Sequence, residues 1–259
     1  MKIRILAIGD VTSPGGVSHL SQNLWAFRRE NAVDFCIVNG ENASLVYSMK
    51  EEQAKEMLAA GADVITGGNH TMRNLSAFSY MDKEKNVLRP CNFPTDVPGH
   101  GYAVCDVCGY RLLVINAMGQ VHIEPVLDSP FTAVDKILKR EEGKYDLAVM
   151  DFHAEATGEK LAVGYAFDGK IQAVFGTHTH VPTADACLLP RGTAYVTDIG
   201  MCGETGGILG MEPKGVVERM RTHLSYPFSA AKGQVRAQGV LIVLDTDKKV
   251  AVSIDRIEF

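Results

Sequence analysis

No apolar run in this chain approaches the roughly 20 residues needed to cross a bilayer, which argues against an integral membrane protein. The first apolar stretch, Ile5-Leu6-Ala7-Ile8-Gly9, stops at Asp10. It is too short for a signal-peptide core, and no small-residue cleavage site follows it. Positive charge is also in short supply: 26 Lys and Arg stand against 31 Asp and Glu, a net charge of −5. That balance disfavours a protein whose main work is coating extended nucleic acid. Cysteine is thin. Cys36, Cys91, Cys105, Cys108, Cys187 and Cys202 are scattered, several of them in apolar strand-like runs. Reduced, mostly buried thiols are expected rather than a disulfide framework. Together these features place the chain in the cytoplasm. No internal repeat, low-complexity tract or Pro/Ser-rich linker interrupts it, so one domain over residues 1–259 is expected.

Short β-branched runs alternate with amphipathic segments, the pattern of an α/β layered fold. Strands are predicted at Ile3–Gly9, Asp34–Val38, Asp63–Thr66, Tyr102–Val107, Tyr110–Asn116, Asp146–Asp151, Ala173–Phe175, Ala194–Thr197, Gly239–Asp245 and Val250–Arg256. Ser48 with Glu51 three residues on reads as a capping box, with Gly61 closing that helix. Ser129-Pro130 opens another helix with Phe131, Val134, Ile137 and Leu138 on one face. Paired short strands in the last third (Gly192–Thr197, Gly239–Asp245, Val250–Phe259) suggest antiparallel pairing and two sheets rather than one.

The informative feature is the polar ending of each buried strand. Ile3–Gly9 ends in Asp10, and Cys36-Ile37-Val38 in Asn39-Gly40-Glu41-Asn42. Val64-Ile65-Thr66 ends in Gly67-Gly68-Asn69-His70, Leu147–Met150 in Asp151-Phe152-His153, and Val174-Phe175 in Gly176-Thr177-His178-Thr179-His180. Open α/β sheets bind ligands outside the carboxyl ends of their strands, so five such endings can converge on one point. Their donors are oxygen and imidazole without thiolate, which suits Fe, Mn, Zn or Ni. Two cations a few ångströms apart need a shared anion between them, and Asp10 and Glu41 are the natural anions. Any one of these endings could also be a turn or a helix cap; it is their recurrence that argues for a shared site.

Six blocks carry a resemblance. They are Gly9-Asp10-Val11, Asn39-Gly40-Glu41-Asn42-Ala43, Gly68-Asn69-His70-Thr71, Arg89-Pro90-Cys91-Asn92, Asp151-Phe152-His153-Ala154-Glu155-Ala156-Thr157 and Gly176-Thr177-His178-Thr179-His180-Val181, with Thr197-Asp198-Ile199-Gly200-Met201 a further match. Spread over almost the whole chain, they resemble the calcineurin-like metallophosphoesterases, and within them the YmdB-type bacterial branch of cyclic-nucleotide phosphodiesterases. The resemblance implies an α/β fold of two packed mixed β-sheets flanked by helices, a four-layer sandwich. It implies two di- or trivalent metal ions, Fe or Mn with Zn as an alternative, held by Asp10, Glu41, Asn42, Asn69, His153, His178 and His180. Glu41 would bridge, and His70 would be the general acid for hydroxide attack on a small phosphodiester, 2′,3′-cyclic and by extension 3′,5′-cyclic. A homo-oligomer is also implied.

The chain departs from those patterns at three places. Thr12 stands where the broad superfamily has a histidine, and Asn42 is expected to compensate. Met72-Arg73 replaces Trp-Asp, and Cys202-Gly203-Glu204 replaces Thr-Gly-Pro; both are expected to border the substrate cleft. Phosphomonoesterase chemistry on the same metals, or a regulatory protein with weak catalysis, are the competing readings. Cys105-x-x-Cys108 with Gly109 reads as a hairpin turn rather than a zinc site. Leu24, Trp25 and Phe27 read as a helix packing face.

Overall fold

The computed structural model describes residues 1–44 and 48–259. The first sheet contains β1 (Lys2–Ile8), β2 (Asp10–Val11), β3 (Phe35–Asn39) and β4 (Val64–Thr66). The second begins with β5 (Tyr102–Val107), β6 (Tyr110–Met118), β7 (Leu147–His153), β8 (Ala173–Thr177), β9 (Cys187–Leu188) and β10 (Ala194–Val196). Three late strands, β11 (Met201–Glu204), β12 (Val235–Asp245) and β13 (Val250–Glu258), return to the first sheet. The helices are α1 (Pro14–Glu30), α2 (Glu51–Ala60), α3 (Phe78–Lys83), α4 (Pro130–Arg140), α5 (Thr157–Ala166) and α6 (Pro213–Thr222).

The seven-stranded sheet runs β2-β11-β12-β1-β3-β4, with β13 also on β12; the six-stranded sheet runs β5-β6-β7-β8-β10-β9. Both are mixed. In the first, β1, β3 and β4 are mutually parallel while β12 pairs antiparallel to β1 and β13. In the second, β6, β7, β8 and β10 are parallel, with the antiparallel strands β5 and β9 at the two edges. The expectation of two sheets holds. The strand at 194–196, however, belongs to the second sheet rather than pairing with the C-terminal hairpin.

Alternation along the strands builds three apolar layers. Ile3, Ile5 and Ala7 point between the sheets and meet Val114, Val149 and Phe175 from the second sheet. Leu6 and Ile8 face outward under Val17, Leu20 and Leu24 of α1 and Met57 of α2. On the far side, Ile115, Met150 and Phe152 pack under Val134 of α4 and Val163 of α5. Each fully buried aliphatic side chain contributes about 1.5–3 kcal/mol. The middle layer, fed by both sheets, holds their carboxyl ends in register. The result is helix, sheet, sheet, helix, as the resemblance implies.

Two local expectations change. The helix after Ser48 starts at Glu51, with Lys50 as its N-cap, and Gln53 accepts the Lys50 N–H at 3.0 Å. Ser48 instead donates to the Thr71 carbonyl at 3.2 Å, so it pins the loop after His70 rather than capping the helix. Gly61 does close α2, at φ 114°, a conformation disfavoured for other residues. Of the α1 trio, Leu24 is buried and Phe27 partly so, while Trp25 is 60% exposed and bonds the Ala59 carbonyl. The Cys105-x-x-Cys108 segment is a hairpin whose turn, Cys108-Gly109, has positive φ at both residues. All six cysteines are free thiols.

Candidate metal centre

The carboxyl ends of β1, β3, β4, β7 and β8 deliver their polar residues to one place. Asp10 and Glu41 are fully buried there, as is His153; Asn69 is 9% exposed. Glu41 lies at the centre. On the side of its Oε2, His153 Nε2 is 3.3 Å away, and that nitrogen is also 3.1 Å from Asn69 Oδ1 and 3.2 Å from His178 Nδ1. On the side of its Oε1, Asn42 Nδ2 donates at 3.3 Å and lies 3.4 Å from His180 Nε2, which is itself 3.6 Å from Asp10 Oδ1. Two groups of donors therefore share one carboxylate. Ligand atoms of Glu41, His153 and His178 all lie within 4.8 Å of one another.

Local structure explains the close approach. A Cβ on Gly68 would sit 2.0 Å from Glu41 Oε2 and 2.3 Å from His153, so only glycine leaves room for the cluster. His178 and His180 adopt φ of 101° and 62°, values rare for a residue with a Cβ. Strain of that kind costs about 1–3 kcal/mol and needs support from its surroundings. Asp198 supplies it: Oδ2 accepts the Thr179 N–H at 3.0 Å and the buried Lys160 Nζ at 2.8 Å, and Lys160 also bonds the Thr177 carbonyl.

Burial pushes both carboxylates up, but the imidazoles beside them outweigh it. Asp10 is held below the ordinary range by His180 and His153, and Glu41 well below it by His153 and His70. Burial disfavours charge on His153, yet Glu41 and Asp10 lift it to about 9. His178 is pushed down to about 4, first by burial and then by His153, so it stays neutral and able to ligate. Two buried carboxylates demand nearby positive charge. Asp10 Oδ1 and His180 Nδ1 find no hydrogen-bond partner among the described residues. Hard oxygen and imidazole donors around such orphaned atoms fit a divalent cation.

His70 stands beside the cluster rather than in it, with Nδ1 2.8 Å from Asn42 Oδ1 and 3.2 Å from Glu41 Oε1. Four of the residues that depart from the family pattern are engaged by neighbouring elements. Thr12 leans onto the Cys202 carbonyl at 3.5 Å, Cys202 is buried, Glu204 accepts from Ser13 at 2.7 Å, and Met72 packs into the apolar layer under the helices.

Several residues around the cluster went unpromoted in the sequence. Glu155 pairs with His178 Nε2 at 3.0 Å. Asp151, Thr177, Thr66 and Asn39 form a buried network directly behind it. Burial pushes Asp151 up to about 6, against the pull of Thr66, His153, Thr177 and Asn39. Their one signal was membership of the strand-end blocks.

Two mixed sheets between helices, with a carboxylate, carboxamide and imidazole cluster at their shared edge, define the metallophosphoesterase type of sandwich. The chain belongs to the YmdB-like protein family, whose model matches residues 6–257. It is 41% identical over 255 residues to a 2′,3′-cyclic-nucleotide 2′-phosphodiesterase of Bacillus subtilis, spanning 98% of this chain and 96% of that one. Among solved structures, a hypothetical protein from Thermus thermophilus matches with a TM-score of 0.89 at 36% identity, over 99% of each chain. A structure described as a novel phosphatase, from Mycoplasma pneumoniae, matches at 0.93 and 30% identity, over 100% of this chain and 94% of that one. No helix among the described residues is long and apolar enough to cross a membrane.

Proposed function

We propose that the chain, acting as one unit over residues 1–259, is a dinuclear-metal phosphodiesterase for small cyclic nucleotides, 2′,3′-cyclic ones first. The observation that carries this is the pair of donor groups sharing Glu41, in a chain 41% identical to a 2′,3′-cyclic-nucleotide 2′-phosphodiesterase. Asp10, Glu41, Asn42 and His180 would hold one cation, and Glu41, Asn69, His153 and His178 the other. Iron and manganese suit these donors, and zinc is a third candidate. Bound there, such cations lower the pKa of water toward neutrality and polarise a phosphoryl oxygen.

The protein's own groups do the rest. Asp10 and Glu41 would repel a phosphodiester on their own, so their charge must be offset before substrate can approach. Gly67 and Gly68, without side chains, let Thr71 close on the one and Glu41 and His153 on the other, which sets Asn69 beside them. His70 is the general acid: Nδ1 is engaged by Asn42 and Glu41, so the proton that moves belongs to Nε2. A ribose oxygen leaves poorly unprotonated at neutral pH, and a positioned imidazole is suited to protonate it.

A second reading, phosphomonoesterase chemistry on the same residues, draws on the relative described as a phosphatase. Metal-loaded protein offered 2′,3′-cyclic AMP, 3′,5′-cyclic AMP and the corresponding monoesters separates the two. The proposal expects 2′,3′-cyclic AMP to turn over fastest; faster release of inorganic phosphate from monoesters would favour the alternative.

A further inference from the structure

Directly behind the ligand cluster lies a carboxylate that touches none of the proposed cations' oxygen donors. Asp151, on β7, is fully buried and accepts three hydrogen bonds from three other strands. Thr66 at the end of β4 donates to its Oδ2 at 2.5 Å, and Asn39 at the end of β3 donates to the same oxygen at 3.0 Å. Thr177 at the end of β8 donates to Oδ1 at 2.7 Å. One side chain thus ties the carboxyl ends of both sheets together.

The directions of these bonds have a chemical consequence. A carboxylate only accepts, so the single hydrogen of the Thr177 hydroxyl points at Asp151. Thr177 Oγ1 is also 2.9 Å from His153 Nδ1, and with its hydrogen committed it can only accept there. Nδ1 of His153 must then carry a proton. In the neutral ring the lone pair falls on Nε2, the nitrogen turned toward Asn69, His178 and Glu41. A second branch runs through Asn39. Its amide nitrogen is held by Asp151, so its oxygen is left to receive the Glu41 N–H at 3.1 Å.

We propose that Asp151 is a positioning residue that, through Thr177, fixes the tautomer of His153 and, through Asn39, the backbone of Glu41. Partners of this kind, one bond behind a metal ligand, typically change metal affinity about 10–100-fold when altered. This inference rests on the metal-centre reading above. In Asp151→Asn, the Asn39 and Thr66 donors select the amide oxygen, which leaves the amide nitrogen facing Thr177. That nitrogen donates, the Thr177 hydroxyl turns toward His153, and the ring is driven to the Nε2–H tautomer, which cannot ligate.

The test is a Co²⁺ titration of the full chain by equilibrium dialysis and visible absorption, with thermal unfolding recorded for each variant. Asp151→Asn and the near-isosteric Thr177→Val are expected to bind Co²⁺ about 10–100-fold more weakly and to lose part of the imidazole-dependent spectrum. Thr177→Ser, which keeps the hydroxyl, is expected to restore wild-type affinity. Folded Asp151→Asn and Thr177→Val proteins with wild-type affinity and spectrum would overturn the proposal, as would Thr177→Ser failing together with Thr177→Val. If Asp151→Asn does not fold, Thr177→Val decides alone. A wild-type chain that binds no Co²⁺ would instead overturn the metal-centre reading itself, and this inference with it.

Discussion

Glu41 divides its two oxygens between the halves of the cluster, Oε1 toward Asn42 and His70 and Oε2 toward His153 and the His70 amide. Asp10 also lies between His180 and His153, but Glu41 is the carboxylate that gives one oxygen to each half, and its role differs from that of His70. Glu41→Gln keeps the shape but removes the anion that both halves share, and metal content is expected to collapse. His70→Ala leaves the proposed ligands in place; turnover is expected to fall about 10²–10⁴-fold with metal content unchanged. Elemental analysis beside steady-state rates separates the two, and metal loss in His70→Ala would refute its assignment as an acid. At this scale the sequence was most legible where polar residues interrupt apolar runs: Asp10, Glu41, Asn69, His153, His178 and His180 all follow buried strands. Asp151 and Thr177 were less so: they share the strand-end blocks, but nothing in the sequence tells a ligand from the residue that stands behind it. Only the packing of one sheet on the other brings Asn39, Thr66, Asp151 and Thr177 together.

Among the elements, parallel strands do the positioning, since β1, β3 and β4 in one sheet and β6, β7 and β8 in the other end at a common edge. The opposite edge is fastened separately. Arg111 at the start of β6 grips Asp146 just before β7 through its Nε at 3.0 Å, its Nη2 at 2.8 Å and its backbone N–H at 2.9 Å. Those bonds hold the Asp146 carboxyl down at about 2. A carboxyl depressed by folding stabilises the fold above its unfolded pKa, about 3.9, and that contribution is lost as pH falls through the folded value. Asp146→Asn is therefore expected to lower the urea midpoint at pH 6, with the gap to wild type closing between about pH 4 and pH 2. A gap independent of pH would show that the pair does not work through charge. Strand positions were readable from β-branched runs and from the glycines that follow them. Helix starts were less so: Ser48 has the right spacing for a cap, but its hydroxyl is taken by the Thr71 carbonyl, and the helix opens at Glu51 instead. Sheet membership was also hidden for residues 194–196, because a three-residue strand carries no signal of which neighbour it joins.

Across the whole molecule, the proposed ligands come from both sheets: Asp10, Glu41, Asn42 and Asn69 from the first, His153, His178 and His180 from the second. Neither sheet alone presents a complete donor set, and the apolar layer between them keeps the two halves opposed. The two-sheet sandwich was legible from the recurring motif blocks and from the change of pattern in the last third. The packing roles of Thr12, Met72, Cys202 and Glu204 were not, since each borders a site block in sequence while its side chain turns to a neighbouring element. With these residues in place the donors still gather around Glu41, which is why the catalytic reading outweighs a purely regulatory one. The most direct test strips the protein with a chelator, verifies the metal content, and follows 2′,3′-cyclic AMP hydrolysis before and after reloading with Mn²⁺ or Fe²⁺. A dinuclear-metal phosphodiesterase is expected to lose hydrolysis on stripping and to regain it as about two ions per chain are restored. A fully reloaded protein with no hydrolysis above the buffer rate, or a stripped protein that retains it, would contradict that reading.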